Sequence, residues 1–399
     1  MEYSRILEAA ERDRSAVTGF LQDIIRIKSL SCGEKAVAGR IAEEMRRLDF
    51  DEVRIDGFGN VIGRVGNGPR VIAMDAHIDT VDAGNPANWD IDPFAAVLKD
   101  GAVHGRGACD MKGAMASLVC GAKIIRQLGL ARGLSVFITG TVMEEDCDGL
   151  CWQYILREKV IDPPPECVLI AEPTNMNICR GHRGRMEIEV TATGLSAHGS
   201  APERGVNAVY RMAPIILDIE KLNQRLKHDD FLGKGTVTIS HIRSTSPSLC
   251  AVADSCTIHL DRRLTAGETI ESAMAEIEAL PGVISAQTKA RVLEYAQPAY
   301  TGLVYPTRKY YPTWALPENH AVLKTAIRAY GNLFASQPKV GKWTFSTNGV
   351  ATMGMFGIPS FGLGPGNEIC AHSPRESIPV DHLVKAAAFY AAFADDYAK

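Results

Sequence analysis

Five short segments of this 399-residue chain place acids or histidines where a predicted strand ends or a loop turns. In MDAHIDTVDAG (residues 74–84) an apolar run delivers Asp75, His77 and Asp79 at its C-terminal end, where parallel sheets put their ligand sites. His77 and Asp79 are two apart and face the same way from a strand. Asp79 can therefore accept the second ring N–H of a metal-ligating His77. In HGRGACDMKGAMA (104–116), Gly105 and Gly107 allow tight backbone approach, and Asp110 stands just before a buried helix. On its own Asp110 reads as an N-cap. VMEEDCDG (142–149) ends an apolar strand with adjacent Glu144 and Glu145, AEPT sets Glu172 after another, and His372 lies in the Gly/Pro loop GPGNEICAHSPRE. Paired carboxylates at a buried strand end are costly unless a cation or a shared proton compensates. Solvated charges have no cause to gather at so many strand ends, whereas a pair of divalent cations supplies one. Carboxylates with imidazole and no thiolate suit zinc, manganese or cobalt.

These residues need a scaffold, and hydrophobic spacing predicts it. Ile6, Ala9, Ala10, Val17, Phe20, Leu21, Ile24 and Ile25 recur at helical intervals, as do apolar residues over 34–48. Short apolar strands follow at 53–55, 61–65 and 71–76, then a buried helix over 111–128 and strands over 134–143 and 167–171. Strands alternating with helices predict an α/β layer with a mainly parallel central sheet. The pattern changes near residue 182, where Glu187, Glu189 and Thr191 alternate with Ile188, Val190 and Ala192. A helix over 206–226, with Val209, Met212, Ile216 and Ile219 on one stripe, is followed by strands over 236–242 and 255–263, a helix over 269–280 and a strand over 286–293. That β-α-β-β-α-β order is ferredoxin-like. Helices over 320–334 and 382–397 and a strand over 360–363 then resume the α/β layer. Residues 1–182 and 297–399 are thus expected to form one domain, interrupted by a second of residues 183–296.

Composition excludes several classes. With 46% hydrophobic and 23% charged residues the chain can bury a sizeable core, unlike a disordered chain, a collagen-like repeat or a small disulfide scaffold. A net charge of -4 gives no reason to expect nucleic acid or an anionic membrane as partner. The opening MEYSRILEAAERDRS has no apolar core of a secretory signal, and the apolar stretch 386–394 falls far short of the ~18 to 20 residues a membrane span requires. Ten cysteines are scattered without a CxxC pair, as expected of reduced core thiols. The expectation is a soluble, cytoplasmic protein.

The blocks HIDTVDAG, GRGACDMKG, MEED, AEPT, SAHGSAPERGVNAV and NEICAHSPRE, in this order from about residue 15 to the C-terminus, resemble the zinc amidohydrolase and exopeptidase family of acetylornithine deacetylase, succinyl-diaminopimelate desuccinylase, glutamate carboxypeptidase and aminoacylase. Within it the chain looks most like a hydrolase branch assigned to selenium metabolism. The resemblance implies a phosphorylase/hydrolase-like catalytic domain with an inserted lid and dimerisation domain. His77, Asp110 and Glu172 would hold one metal ion, and Asp110, Glu145 and His372 the other. Asp110 would bridge them, the Asp110–Met111 peptide would be cis, and zinc is the first expectation, with cobalt or manganese as alternatives. Asp79 would orient His77, and Glu144 would act as general base for water attacking an amide carbonyl. His198, which alone reads as a backbone-bonded loop histidine, would cross a homodimer interface to stabilise the oxyanion in the partner's site. The two domains would then rotate about junctions near residues 182 and 297. Arg263, in LDRRLTAGET, fills the family's D-x-R pattern and would grip a substrate carboxylate, with Arg262 on the opposite face of the strand.

Two departures bear on substrate. Many relatives carry an N-x-V-P pattern before that strand, where SPSLCAVADSC offers Cys250 and Ala253. In WTFSTNGV, Asn348 stands where the family often has an acid, which makes Asn348 the candidate substrate residue of that loop and argues against a cationic substrate amine. His182 and Arg183, at the domain junction, read equally as hinge or substrate groups and as a solvated linker. The expected activity is cleavage of a C–N amide bond in a small N-acyl amino acid or dipeptide-like molecule. The alternatives are an N-carbamoyl (ureide) amidohydrolase and, more remotely, a non-catalytic metal-binding dimer.

Overall fold

Arg70–His77 is buried along all but its first residue, which a strand can be only with neighbours on both edges and layers on both faces. The computed structural model, which describes residues 2–399, places it inside an eight-stranded mixed sheet. Four central strands run parallel in the order Leu134–Thr141, Arg70–His77, Val168–Ile170 and Ser360–Gly362. Val61–Val65 and Glu52–Ile55 add antiparallel strands at one edge. At the other, Ile178–Cys179 is antiparallel to Ser360–Gly362 and parallel to Val340–Gly341. The parallel centre agrees with the sequence reading, and the antiparallel edges make the sheet mixed. The helix Gly113–Leu128 is buried over nearly its whole surface because it packs both on the strands Arg70–His77 and Leu134–Thr141 and along the helix Val380–Ala398.

Between these parts, Gly184–Thr193, Ala208–Arg225, Thr236–Thr245, Ser255–Leu264, Ile270–Glu278 and Lys289–Val292 follow one another as strand, helix, strand, strand, helix and strand. Their sheet runs in the order Thr236–Thr245, Ser255–Leu264, Gly184–Thr193, Lys289–Val292, all antiparallel, which is the ferredoxin-like arrangement. Ile188, Val190 and Ala192 enter an apolar cluster of their own with Ile258, Leu260, Met212 and Ile277, separate from the cluster beneath the eight-stranded sheet. The long helix differs from expectation in one respect. Its buried stripe is Ala208, Met212, Ile215, Ile219 and Leu222, while Val209 is exposed and Ile216 half-buried. The segment carries two overlapping apolar stripes, and packing on the sheet selects the one with the more regular 3.6-residue spacing. All ten cysteines are free thiols, most of them buried, and no helix among the described residues is long and apolar enough to cross a membrane.

One contact ties this fold to the chemistry. Beyond Ser360–Gly362 the chain passes so close to the end of Val168–Ile170 that a Cβ on Gly364 would lie 2.0 Å from the Ala171 carbonyl oxygen and 2.2 Å from that of Glu172. Gly364→Ala is expected to cost about 1–3 kcal/mol by overpacking, read as a lower thermal melting midpoint. An unchanged midpoint would show that the two segments can separate freely.

Candidate dinuclear metal centre

The loops leaving the C-terminal edge of the parallel strands converge on Asp110. His77, the last residue of Arg70–His77, puts Nε2 2.9 Å from Asp110 Oδ1, 3.7 Å from Glu172 Oε1 and 4.0 Å from Glu144 Oε2. His372, from the loop after Ser360–Gly362, puts Nε2 3.3 Å from Asp110 Oδ2 and 3.1 Å from Glu145 Oε2. Each oxygen of Asp110 thus faces a different histidine. Two trios result, His77–Asp110–Glu172 and Asp110–Glu145–His372, each with its ligand atoms within 4.8 Å of one another. The Asp110–Met111 peptide is cis.

The electrostatics are lopsided. Asp110, Glu144 and Glu172 are buried and Glu145 nearly so, with only two imidazoles among them. Burial pushes the Glu144 and Glu172 carboxyls well above the usual carboxylate range, in each case against the pull of His77. Burial and then the Asp110 charge push Glu145 up as well. Burial opposes ionisation of Asp110 too, but hydrogen bonds from His372 and His77 outweigh it and hold that carboxyl low. Those same bonds to Asp110 and Glu145 raise His372 to about 10. Glu172 Oε2 and Glu144 Oε1 are buried with no hydrogen-bond partner among the described residues. Unpaired buried carboxylate oxygens beside imidazole nitrogens fit divalent cations, and the donor set suits zinc, manganese or cobalt. The thiol of Cys109 donates instead to the Asn367 carbonyl.

Further acids, none of them in a trio, brace this cluster through the backbone. Asp79 accepts from the N–H groups of Glu144 (3.2 Å) and Glu145 (3.1 Å) and from Ser31 Oγ (2.7 Å). His77 Nδ1 donates to the Asp79 carbonyl at 3.0 Å, closer than the Asp79 carboxylate at 3.5 Å, so Asp79 positions the histidine and both glutamates. Three braces escaped the sequence reading. Glu376 Oε1 accepts from the N–H groups of Cys109 and Asp110, both at 3.0 Å, while its other oxygen pairs with buried Arg106. Glu34 accepts from Met143 N–H at 3.0 Å, where Met143 turns through φ +61 to aim Glu144. Lys112 is fully buried and donates to the Ile24 and Ile27 carbonyls. Their one signal in the sequence was a charge inside or beside an apolar run.

The cavity here, about 360 Å³, is lined by His77, Asp110, Glu144, Glu145, Glu172 and His372 together with Asp148, Arg185, Arg263, Phe345, Ser346, Glu368 and Ala371. A larger surface groove near Arg14 and Gln22 holds none of the cluster's residues. Arg263 therefore lies where expected, while Arg262 is buried on the other face against Glu268 and Glu276. Asn348 is a correction: it does not line the cavity. Its amide is consumed below the site, donating to Asp75 Oδ2 (2.8 Å) and Thr141 Oγ1 (3.1 Å) and accepting from Gly149 N–H (2.9 Å). It braces strand ends and is not available to substrate. His198 is exposed on the inserted unit, outside this chain's cavity, and its Nδ1 accepts from Ser200 N–H at 3.1 Å, so the neutral ring carries its proton on Nε2. Cys250, also exposed, accepts through its carbonyl from Gly199 N–H beside it.

His182 is no solvated linker. It is fully buried, accepts at Nε2 from Trp314 Nε1 (2.8 Å) and Thr347 N–H (3.0 Å), and donates from Nδ1 to the Arg183 carbonyl (2.8 Å).

Peptidase family M20/M25/M40 matches residues 73–396. The uncharacterized protein YgeY of Escherichia coli K12 is 53% identical over 390 residues, 98% of this chain and 96% of that protein. A probable succinyl-diaminopimelate desuccinylase of Staphylococcus aureus is 30% identical over 214 residues, about half of each chain (52% and 53%). The solved structure of Bacillus subtilis YxeP, described as a dinuclear metal binding peptidase of family M20, superposes with a TM-score of 0.71 at 15% identity over 96% of this chain and 98% of that one, a likeness of fold.

Burial lowers the His182 pKa to about 4. A folded pKa below the unfolded value of ~6.5 leaves the folded state unpenalised above pH 6.5 and costs stability as pH falls from there to about 4, by up to ~3 kcal/mol. His182→Asn is expected to flatten that part of the stability–pH curve in denaturant titrations. Parallel curves for the two proteins would contradict the assignment.

Proposed function

The chain belongs to peptidase family M20/M25/M40 and is a metallo-hydrolase of small molecules, and on that premise we propose that it cleaves the C–N amide bond of a small N-acyl amino acid or dipeptide-like substrate. The observation that carries the proposal is the pair of ligand trios sharing Asp110 beside a buried, unpartnered oxygen of Glu144. In this reading His77, Asp110 and Glu172 hold one cation, and Asp110, Glu145 and His372 the other. Bound divalent ions lower the pKa of water and polarise a carbonyl.

The chain's own groups do the rest. Glu144 takes the proton of the attacking water and delivers it to the leaving nitrogen, a role suited by burial that raises its pKa above the usual carboxylate range. Asp79 holds its backbone N–H, so the base cannot drift. Arg263 binds a substrate carboxylate from the cavity wall. His198, exposed on the inserted unit with its proton on Nε2, serves the site of a second copy. Exposed Tyr210, Leu217, Ile242 and Leu249 on the same unit support a homodimer. The two separate apolar clusters support an inserted unit within about residues 183–296, with Tyr295 packed in the larger cluster and Tyr310–Tyr311 adding a strand to the inserted sheet. Zinc is the proposed metal; the selenium-metabolism branch is supported by the sequence resemblance, and a cytoplasmic setting by the ten free thiols.

Mass spectrometry of protein purified without chelators is expected to find two metal ions per chain. Glu144→Gln is expected to lower turnover by about 10²–10⁴-fold with that content unchanged. Substantial turnover in the variant, or a chain that stays metal-free at micromolar zinc, manganese and cobalt, would sink the reading. N-carbamoyl amino acids in the substrate panel separate it from the ureide alternative.

A further inference from the structure

The cavity that holds the acid cluster also holds two guanidiniums that the inserted sheet makes neighbours. Arg185 and Arg263 are directly paired residues of the antiparallel strands Gly184–Thr193 and Ser255–Leu264, and both line the cavity. Like charges directly opposite on adjacent strands destabilise a sheet, so this pair needs a compensating reason. Arg263 is compensated within its own strand, with Nε 2.7 Å from Asp261 Oδ1 and Nη2 2.9 Å from Oδ2.

Arg185 is fixed in place but poorly used. Its guanidinium carbon lies 4.6 Å from the centroid of the Tyr311 ring, which restrains it from one side. Its two approaches to Asp148 are both at 3.5 Å, the outer limit for a hydrogen bond, and its Nε is buried with no partner among the described residues. Asp148 in turn accepts from Ser346 Oγ. Arg262, one residue from Arg263, shows what a structural arginine looks like here: buried in full and tied to Glu268 and Glu276. Arg185 has the restraint with only the long pairing to Asp148. A planar carboxylate is the ligand whose two oxygens match an under-used guanidinium fork.

We propose that Arg185 is a specificity-determining residue that, together with Arg263, holds the free carboxylate of the substrate and selects carboxylates over neutral analogues. This rests on the amide-hydrolase reading above and adds to it the residue that decides the charge of the substrate.

The test separates binding from cleavage by using zinc-loaded Glu144→Gln protein. Calorimetric titration compares N-acetyl-L-alanine with its neutral amide, N-acetyl-L-alaninamide. The acid is expected to bind more tightly. Adding R185Q is expected to weaken the acid by about tenfold or more, as for loss of a charge-assisted bond, and to leave the amide unchanged. R185K, which keeps the charge but not the fork, is expected to fall between, and carries the comparison if R185Q melts early. Equal weakening of both ligands, no weakening of either, or no preference for the acid in the parent overturns the proposal. Wild-type turnover on the acyl amino acid panel is scored separately. Its absence falls on the hydrolase reading, whereas an unaltered acid-to-amide ratio with turnover intact falls on Arg185 alone.

Discussion

Burying four carboxylates around one point is the constraint on which this structure turns. Asp110, Glu144, Glu145 and Glu172 sit within reach of two imidazoles and little else of positive charge. An ionised carboxylate taken out of water costs several kcal/mol, and repulsion among neighbours adds to that. Protein cations offset it only in part: His372, raised to about 10, pairs with Asp110 and Glu145, Arg185 and Arg263 line the same cavity, and Arg106 and Lys112 are spent on Glu376 and on backbone carbonyls. Burial first, and the neighbouring carboxylates after it, raise the pKa values of Glu144, Glu145 and Glu172, a cost that bound divalent cations would relieve.

Holding such a cluster in register takes a second set of acids that never enter it. Asp79, Glu34 and Glu376 each accept backbone N–H groups from the segments that carry the ligands or the base. Asp75 does similar work inside the sheet, accepting from Thr139 at 2.6 Å, Thr141 at 3.1 Å and Asn348 at 2.8 Å. Strand ends alone fix direction to within a rotamer. Hydrogen bonds to the main chain of the turns remove the remaining freedom, which is what a site needs to keep its ligand atoms in place.

What the sequence made legible follows from this division. Three members of the trios were readable as candidates because His77, Glu145 and Glu172 follow apolar runs, whereas Asp110 alone read as an N-cap and His372 lay in a Gly/Pro loop, and only the family resemblance grouped the five into two trios. The α/β order and the inserted β-α-β-β-α-β unit were readable from hydrophobic periodicity, as was the placing of Arg262 and Arg263 on opposite faces. Glu34, Glu376 and Lys112 were not, because each acts on backbone atoms brought near by tertiary folding, and a charge inside or beside an apolar run does not say which atoms it will meet. Asn348 failed in the opposite sense. Its loop was located correctly, but whether an amide faces a cavity or a strand end is decided by packing, here by Asp75 and Gly149. The slipped stripe of Ala208–Arg225 is the same lesson for apolar residues, since two stripes were available and only the sheet could choose.

The two sheets contribute opposite charges to one cavity, and that segregation has a consequence for orientation. The eight-stranded sheet supplies the acids at its C-terminal edge, while the inserted sheet supplies Arg185 and Arg263 from paired positions. Under the proposed function, a molecule with a carboxylate at one end and an amide further along would be favoured in one direction. The guanidiniums would attract its anionic end and leave its carbonyl facing the cluster. Because the arginines belong to a unit with its own apolar core, any relative movement of the two units would move the carboxylate grip against the acids. Asp148, held by Ser346 within the larger unit, comes within 3.5 Å of Arg185, and Tyr310–Tyr311 pairs with the strand Gly184–Thr193, so several contacts register one unit against the other. If the proposed grip holds the substrate, its reach from anchored carboxylate to scissile carbonyl would depend on how these two units sit together as well as on the shape of either.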